Sequence, residues 1–104
     1  MTATVRPSQF EVSVLPEDDI NCPYFVVTVE TRGSGRWAVV RNRQCLGADG
    51  EWSWESIPSE REDEWLATHR FDLETATRLA VETAPGISVN GMTAAQALAR
   101  KEPK

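Results

Sequence analysis

The sequence predicts an α+β domain, an antiparallel β-meander of four to five strands with two C-terminal helices packed on one face. Three observations lead there. Phe10-Glu11-Val12-Ser13-Val14 alternates apolar and polar residues, the period of a half-buried strand. Between Tyr24 and Glu55, short glycine-bearing turns separate strand-like segments, the pattern of a meander. A helical apolar face is clear only from Asp72 onward, which puts the helices after the sheet.

Taken in order, residues 1–9 read as a flexible lead-in, with Pro7 discouraging regular structure. After the first strand, Pro16-Glu17-Asp18-Asp19 breaks the pattern and Ile20 to Pro23 completes a loop. Tyr24 to Thr31 is rich in aromatic and β-branched residues, and its opening Tyr24-Phe25-Val26-Val27 is apolar on both faces, as a central strand would be. Arg32-Gly33-Ser34-Gly35 is a tight turn, and the chain returns as a strand over Arg36 to Leu46. Gly47-Ala48-Asp49-Gly50 turns again into Glu51-Trp52-Ser53-Trp54-Glu55, where Trp52 and Trp54 share a face.

Ile57 to Asp63 reads as a polar loop or a single helical turn, with Ser59 and Glu62 at capping-box spacing. Trp65, Ala67, His69 and Phe71 alternate and favour a short strand. Asp72 then caps a helix whose buried face is Leu73, Ala76, Leu79, Ala80 and Thr83, and Glu74 suits its first turn. Pro85-Gly86 ends it, Ile87-Ser88-Val89 is extended, and Asn90-Gly91 turns. Thr93 and Gln96 form a second capping box that opens a helix over Ala94 to Arg100. Residues 10–100 make a single domain, and 101–104 a frayed tail.

With 104 residues, 40% of them hydrophobic and 26% charged, the chain suits one globular domain and leaves no room for two. No apolar run approaches the roughly 18 residues of a membrane span, and Met1 to Gln9 lacks the apolar core of a secretory signal. Both point to a cytoplasmic protein that avoids membranes. A net charge of -5 argues against a general nucleic-acid binder, whose affinity comes from basic side chains releasing counterions. The charge is also segregated. Arg32, Arg36, Arg41 and Arg43 fall in a stretch without acids, whereas Glu51, Glu55, Glu60, Glu62, Asp63 and Glu64 follow, opposed only by Arg61. Charge runs usually serve solubility, and a polarised surface is the functional reading.

The catalytic vocabulary is thin. Cys22, Cys45 and the single His69 lack a CxxC or a paired histidine, and a structural zinc needs about four ligands. Buried, reduced cysteines are the simpler reading. The acids of Glu55 to Glu64 carry no mark of burial, and Gly33-Ser34-Gly35 lacks the Lys-Ser/Thr ending of a phosphate loop. No catalytic residue, metal or cofactor is expected.

Four tryptophans are the unusual feature. Trp37, Trp52, Trp54 and Trp65 either fill the core of a small domain or present exposed anchors to a partner. Trp37, Val39, Arg41 and Arg43 fall on one strand face, an aromatic-basic stripe suited to carboxylates or stacked bases.

The segments Cys45-Leu46, Asp49-Gly50-Glu51-Trp52, Pro58-Ser59-Glu60-Arg61, Asp63-Glu64-Trp65 and Arg70-Phe71 resemble a group of small proteins encoded by actinobacteria and their bacteriophages. The resemblance covers roughly the middle half of the chain. It implies an intracellular accessory protein expressed from a phage or prophage, and it carries over no site residue. Nine arginines against two lysines suit a high-GC genome. The functional expectation is a non-enzymatic module that binds a protein partner, a host protein or a second copy, through Trp37, Arg41, Arg43, Trp52 and Trp54. The alternatives are nucleic-acid binding through the Arg32–Arg43 hairpin and acidic DNA mimicry by Glu51–Glu64. A tryptophan-rich sheet face left bare by the helices would favour a two-fold homodimer.

Overall fold

A computed structural model of the chain describes residues 1–55 and 61–101, with the side chain of Lys101 left out. Five strands form one antiparallel sheet in sequential order: β1 (Gln9–Val12), β2 (Val27–Thr31), β3 (Trp37–Arg41), β4 (Gln44–Leu46) and β5 (Trp52–Trp54). Helix α1 (Asp63–His69) follows, then α2 (Leu73–Thr83), a short hairpin of β6 (Ser88–Val89) and β7 (Met92–Thr93), and α3 (Ala94–Lys101). The α+β meander is therefore present, with its two C-terminal helices on one face.

Alternation decides what each face holds. Val27, Val29, Trp37, Val39 and Leu46 point to one side and meet Ala76 and Ala80 of α2. Those alanines are fully buried, and their small size lets α2 lie close over β2 and β3. Ala94, Ala97 and Leu98 bring α3 into the same core. Asp72 caps α2 by accepting from the Thr75 amide at 2.7 Å, which holds its carboxyl below the usual carboxylate range. The Thr93–Gln96 capping box forms in both directions, at 2.9 and 3.1 Å.

Three local expectations are corrected. Cys22–Phe25 is a turn of 3-10 helix, with Pro23 early in it, so the second strand starts at Val27 rather than Tyr24. The segment Arg36 to Leu46 is two strands, not one. Arg41 pairs with Gln44 across a two-residue turn in which Asn42 and Arg43 have φ of 52° and 65°. Positive φ at both positions matches a type I′ turn, whose twist suits tight hairpins. Finally, Trp65 to His69 is helical. Only Phe71 behaves as a strand, exchanging both backbone hydrogen bonds with Trp37 at 2.7 and 2.9 Å.

α1 lies against the face of the sheet opposite α2, the side to which Ser53 and Glu55 point. Its N-cap is Glu62, which makes no side-chain cap. Ser59 and most of the expected polar loop lie outside the described residues, as does the tail beyond Lys101. Residues 1–8 are exposed and tied to the sheet where Ser8 accepts from the Thr31 amide at 2.9 Å. Among the described residues no helix is long and apolar enough to cross a membrane.

Candidate interaction surface

The register aligns three side chains in one row across β3, β4 and β5. Arg41 is opposite Gln44, and Gln44 is opposite Trp54. They lie on the helix-bearing face, beyond the area the helices cover: Trp54 keeps 65% of its surface exposed. One step inward Trp52 is opposite Leu46, and its ring packs partly on the core. Arg41, Gln44 and Trp52 line a notch of about 180 Å3, closed on its far side by Gly86, Ile87 and Ser88. Arg43 stands exposed in the adjoining turn.

Arg41 is held but not saturated. Its Nη2 donates to the Tyr24 carbonyl at 3.0 Å, while its buried Nε meets no acceptor among the described residues. A guanidinium presents five donors in a planar fork, so Arg41 retains capacity for a carboxylate. The same side chain lines an open groove of about 880 Å3 along the outer face of β2, between Tyr24 and Arg32.

No protein-family model, curated protein or solved structure matches this chain.

Four of the five residues expected at a partner surface thus gather at one end of the sheet: Arg41, Arg43, Trp52 and Trp54. Trp37 is at the other end of β3, 9% exposed, with its ring 5.7 Å from that of Phe10. The expected stripe from Trp37 to Arg43 is interrupted because Val39 is buried and Arg43 belongs to the turn. Gln44 and Tyr24 were not expected at this surface. Once Asn42-Arg43 is read as a two-residue turn, the pairing that places Gln44 between Arg41 and Trp54 follows.

The opposite face of the sheet holds a polar network built on Glu55. Arg32 donates to it through Nε at 3.0 Å and Nη2 at 2.8 Å, and Arg70 through Nη2. Arg61 adds a longer ion pair of 3.7 Å. The Arg32 hydrogen bonds, helped by the charges of Arg32, Arg70 and Arg61, outweigh burial and hold the Glu55 carboxyl down at about 2. Reciprocally, Glu55 pushes the Arg32 guanidinium above its ordinary value. Cys45 sits beneath this network with no exposed surface, and burial raises its thiol, with the Glu55 charge adding to the effect.

Ser53 joins α1 to β5. Trp65 donates its indole N–H to Ser53 Oγ at 3.1 Å, and His69 Nε2 lies 3.0 Å from the same oxygen. His69 Nδ1 is 2.7 Å from the Trp65 carbonyl, and the two rings stack at 4.2 Å. A serine polarised by histidine has the outline of a nucleophile, but catalysis also needs donors aimed at a developing oxyanion and space for substrate. Here Ser53 Oγ accepts the Trp65 indole N–H. These contacts dock a helix. Gly47 completes the fit, because a Cβ there would come 3.0 Å from His69 Nε2.

Proposed function

We propose that this chain is a small, non-enzymatic, intracellular protein-interaction module that engages one host protein through Trp54, Trp52, Arg41 and Arg43. The observation that carries the reading is the exposed Trp54 ring in register with Arg41, whose guanidinium makes one hydrogen bond, to the Tyr24 carbonyl, among the described residues. Tryptophan and arginine dominate interface hot spots, and together they suit a partner offering a carboxylate beside an apolar side chain. A foreign partner fits better than a second copy. A two-fold interface pairs a patch with its own copy, and this patch brings Arg41 and Arg43 without a carboxylate among its named residues to receive them. The hairpin arginines also favour a protein over nucleic acid. Arg32 is engaged with Glu55 on the outer face, whereas Arg41 is in the row on the helix-bearing face, so they form no continuous strip.

The test is affinity capture from an actinobacterial lysate with and without nuclease, comparing the wild type with Trp54→Ala and with the double variant Arg41→Glu/Arg43→Glu. One stoichiometric protein that survives nuclease and is lost with both variants is the expected result. The alanine substitution should cost about 2 kcal/mol, close to thirty-fold in affinity. Capture that both variants retain, or that nuclease abolishes, overturns the assignment.

A further inference from the structure

At the other end of β3, on the outer face, four arginines converge on one cleft. Arg32 and Arg36 flank the Gly33-Ser34-Gly35 turn, and the Arg32 amide donates to the Arg36 carbonyl at 2.8 Å, which sets them opposite each other. Like charges placed directly opposite across strands are destabilising. Arg61 and Arg70 face them from the α1 side, and the cleft of about 450 Å3 is completed by Leu66, Ala67 and Asp63. Four guanidiniums and the Asp63 carboxylate line it; Glu55 pairs with Arg32, Arg61 and Arg70 and Glu30 with Arg32, so among the described residues the surplus positive charge is that of Arg36.

The cleft is organised before any ligand arrives. Glu55, beneath it, binds Arg32 and Arg70 at once. Arg70 is further fixed by its Nη1 bond to the His69 carbonyl at 3.0 Å and by lying 5.2 Å from the Trp65 ring centre. Arg36 is exposed and enters no ion pair among the described residues, so its charge is the least compensated. Planar guanidinium forks match the oxygens of a dianion, and a preorganised cluster avoids the ordering cost that weakens surface charge pairs.

The geometry points to this cleft as a binding site for a small phosphate monoester, with the phosphoryl dianion held by Arg36 beside the Arg32, Arg61 and Arg70 guanidiniums that Glu55 keeps in place. Leu66 and Ala67 supply an apolar wall for the esterified group, and the volume lies in the range of small-molecule pockets. The site shares no residue with the Trp54 surface.

Calorimetric titration at low ionic strength tests it, using adenosine monophosphate, ribose 5-phosphate, inorganic phosphate and sulfate up to about 10 mM. At least one ester should bind more tightly than sulfate, and Arg36→Ala should weaken it about ten-fold. Thermal melting of Arg36→Ala, which should match the wild type, shows that the loss is not unfolding. The two ester arms distinguish a nucleotide from a sugar phosphate. No binding in this range, sulfate or free phosphate binding as tightly as both esters, or unchanged affinity in Arg36→Ala overturns the inference.

Discussion

Among single residues, Glu55 does the most to join the two halves of the outer face. It stands one position past β5, yet it binds Arg32 at the end of β2 and Arg70 at the end of α1. With its side chain 14% exposed and that of Arg70 only 3%, removing the carboxylate strands a buried cation. Glu55→Gln should therefore destabilise the fold by about 2 kcal/mol, less than a fully buried pair because Arg32 can reach water. The pH dependence has a defined sign. The folded carboxyl is held at about 2, below its value in the unfolded chain, so between those values the unfolded chain binds more protons. The stabilisation is complete above about pH 4.5 and is lost as the pH falls toward 2. Urea denaturation at pH 6 and pH 3 should show the wild type losing more stability on acidification than Glu55→Gln, and equal losses would remove Glu55 as the cause. The tryptophans make a different point at this scale. Trp37 and Trp54 are the same residue type on the same face of the sheet, and one is core while the other is surface. What separates them is position relative to α2, which period-two alternation does not encode.

Among elements, the β3–β4 turn combines a backbone requirement with an exposed charge. Arg43 holds φ of 65° without being glycine, a conformation in which its Cβ crowds the backbone. Arg43→Gly would create the Asn-Gly pair favoured in such turns and should stabilise the fold by about 0.5 kcal/mol while weakening partner binding. Paired urea melts and affinity measurements check both signs. If stability and affinity fall together, Arg43 acts through the fold rather than through contact. This turn also marks where the sequence was legible and where it was not. The Asp72 cap, the Thr93–Gln96 box and the glycine turns follow from chemistry within a few residues, and each is formed. Asn42, a residue that tolerates positive φ, was the available sign of a turn inside a continuous strand-like run. α1 is ambiguous in sequence because Trp65, Ala67, His69 and Phe71 satisfy a period of two, while Trp65 and His69 also satisfy a helical i, i+4 spacing. Ser53, twelve residues earlier, completes the helical arrangement by meeting both side chains, a tertiary contact outside any local window.

At the scale of the whole molecule, the arginines of one hairpin serve two separate surfaces. Arg36 precedes β3 and faces the outer cleft, whereas Arg41 ends β3 and belongs to the row on the helix-bearing face. Five residues of strand place them about 16 Å apart, well beyond the Debye length of about 8 Å at physiological ionic strength. The strand between them is rigid: Ala38 and Val39 have no exposed surface, and β3 is hydrogen-bonded to β2 on one side and to β4 and Phe71 on the other. Glu55 touches both regions through its backbone, but the Trp54 and Arg36 side chains share no hydrogen-bond partner among the described residues, and substitutions at this separation behave additively. Phosphate-ester affinity should therefore be unchanged within about two-fold by Trp54→Ala, and partner affinity by Arg36→Ala. Titrating the ester into the free chain and into the chain saturated with its captured partner provides the stricter measurement. Equal affinities mean that one small sheet carries two independent sites. A difference of about ten-fold would require a partner that distinguishes two arrangements of β3, and would overturn independence.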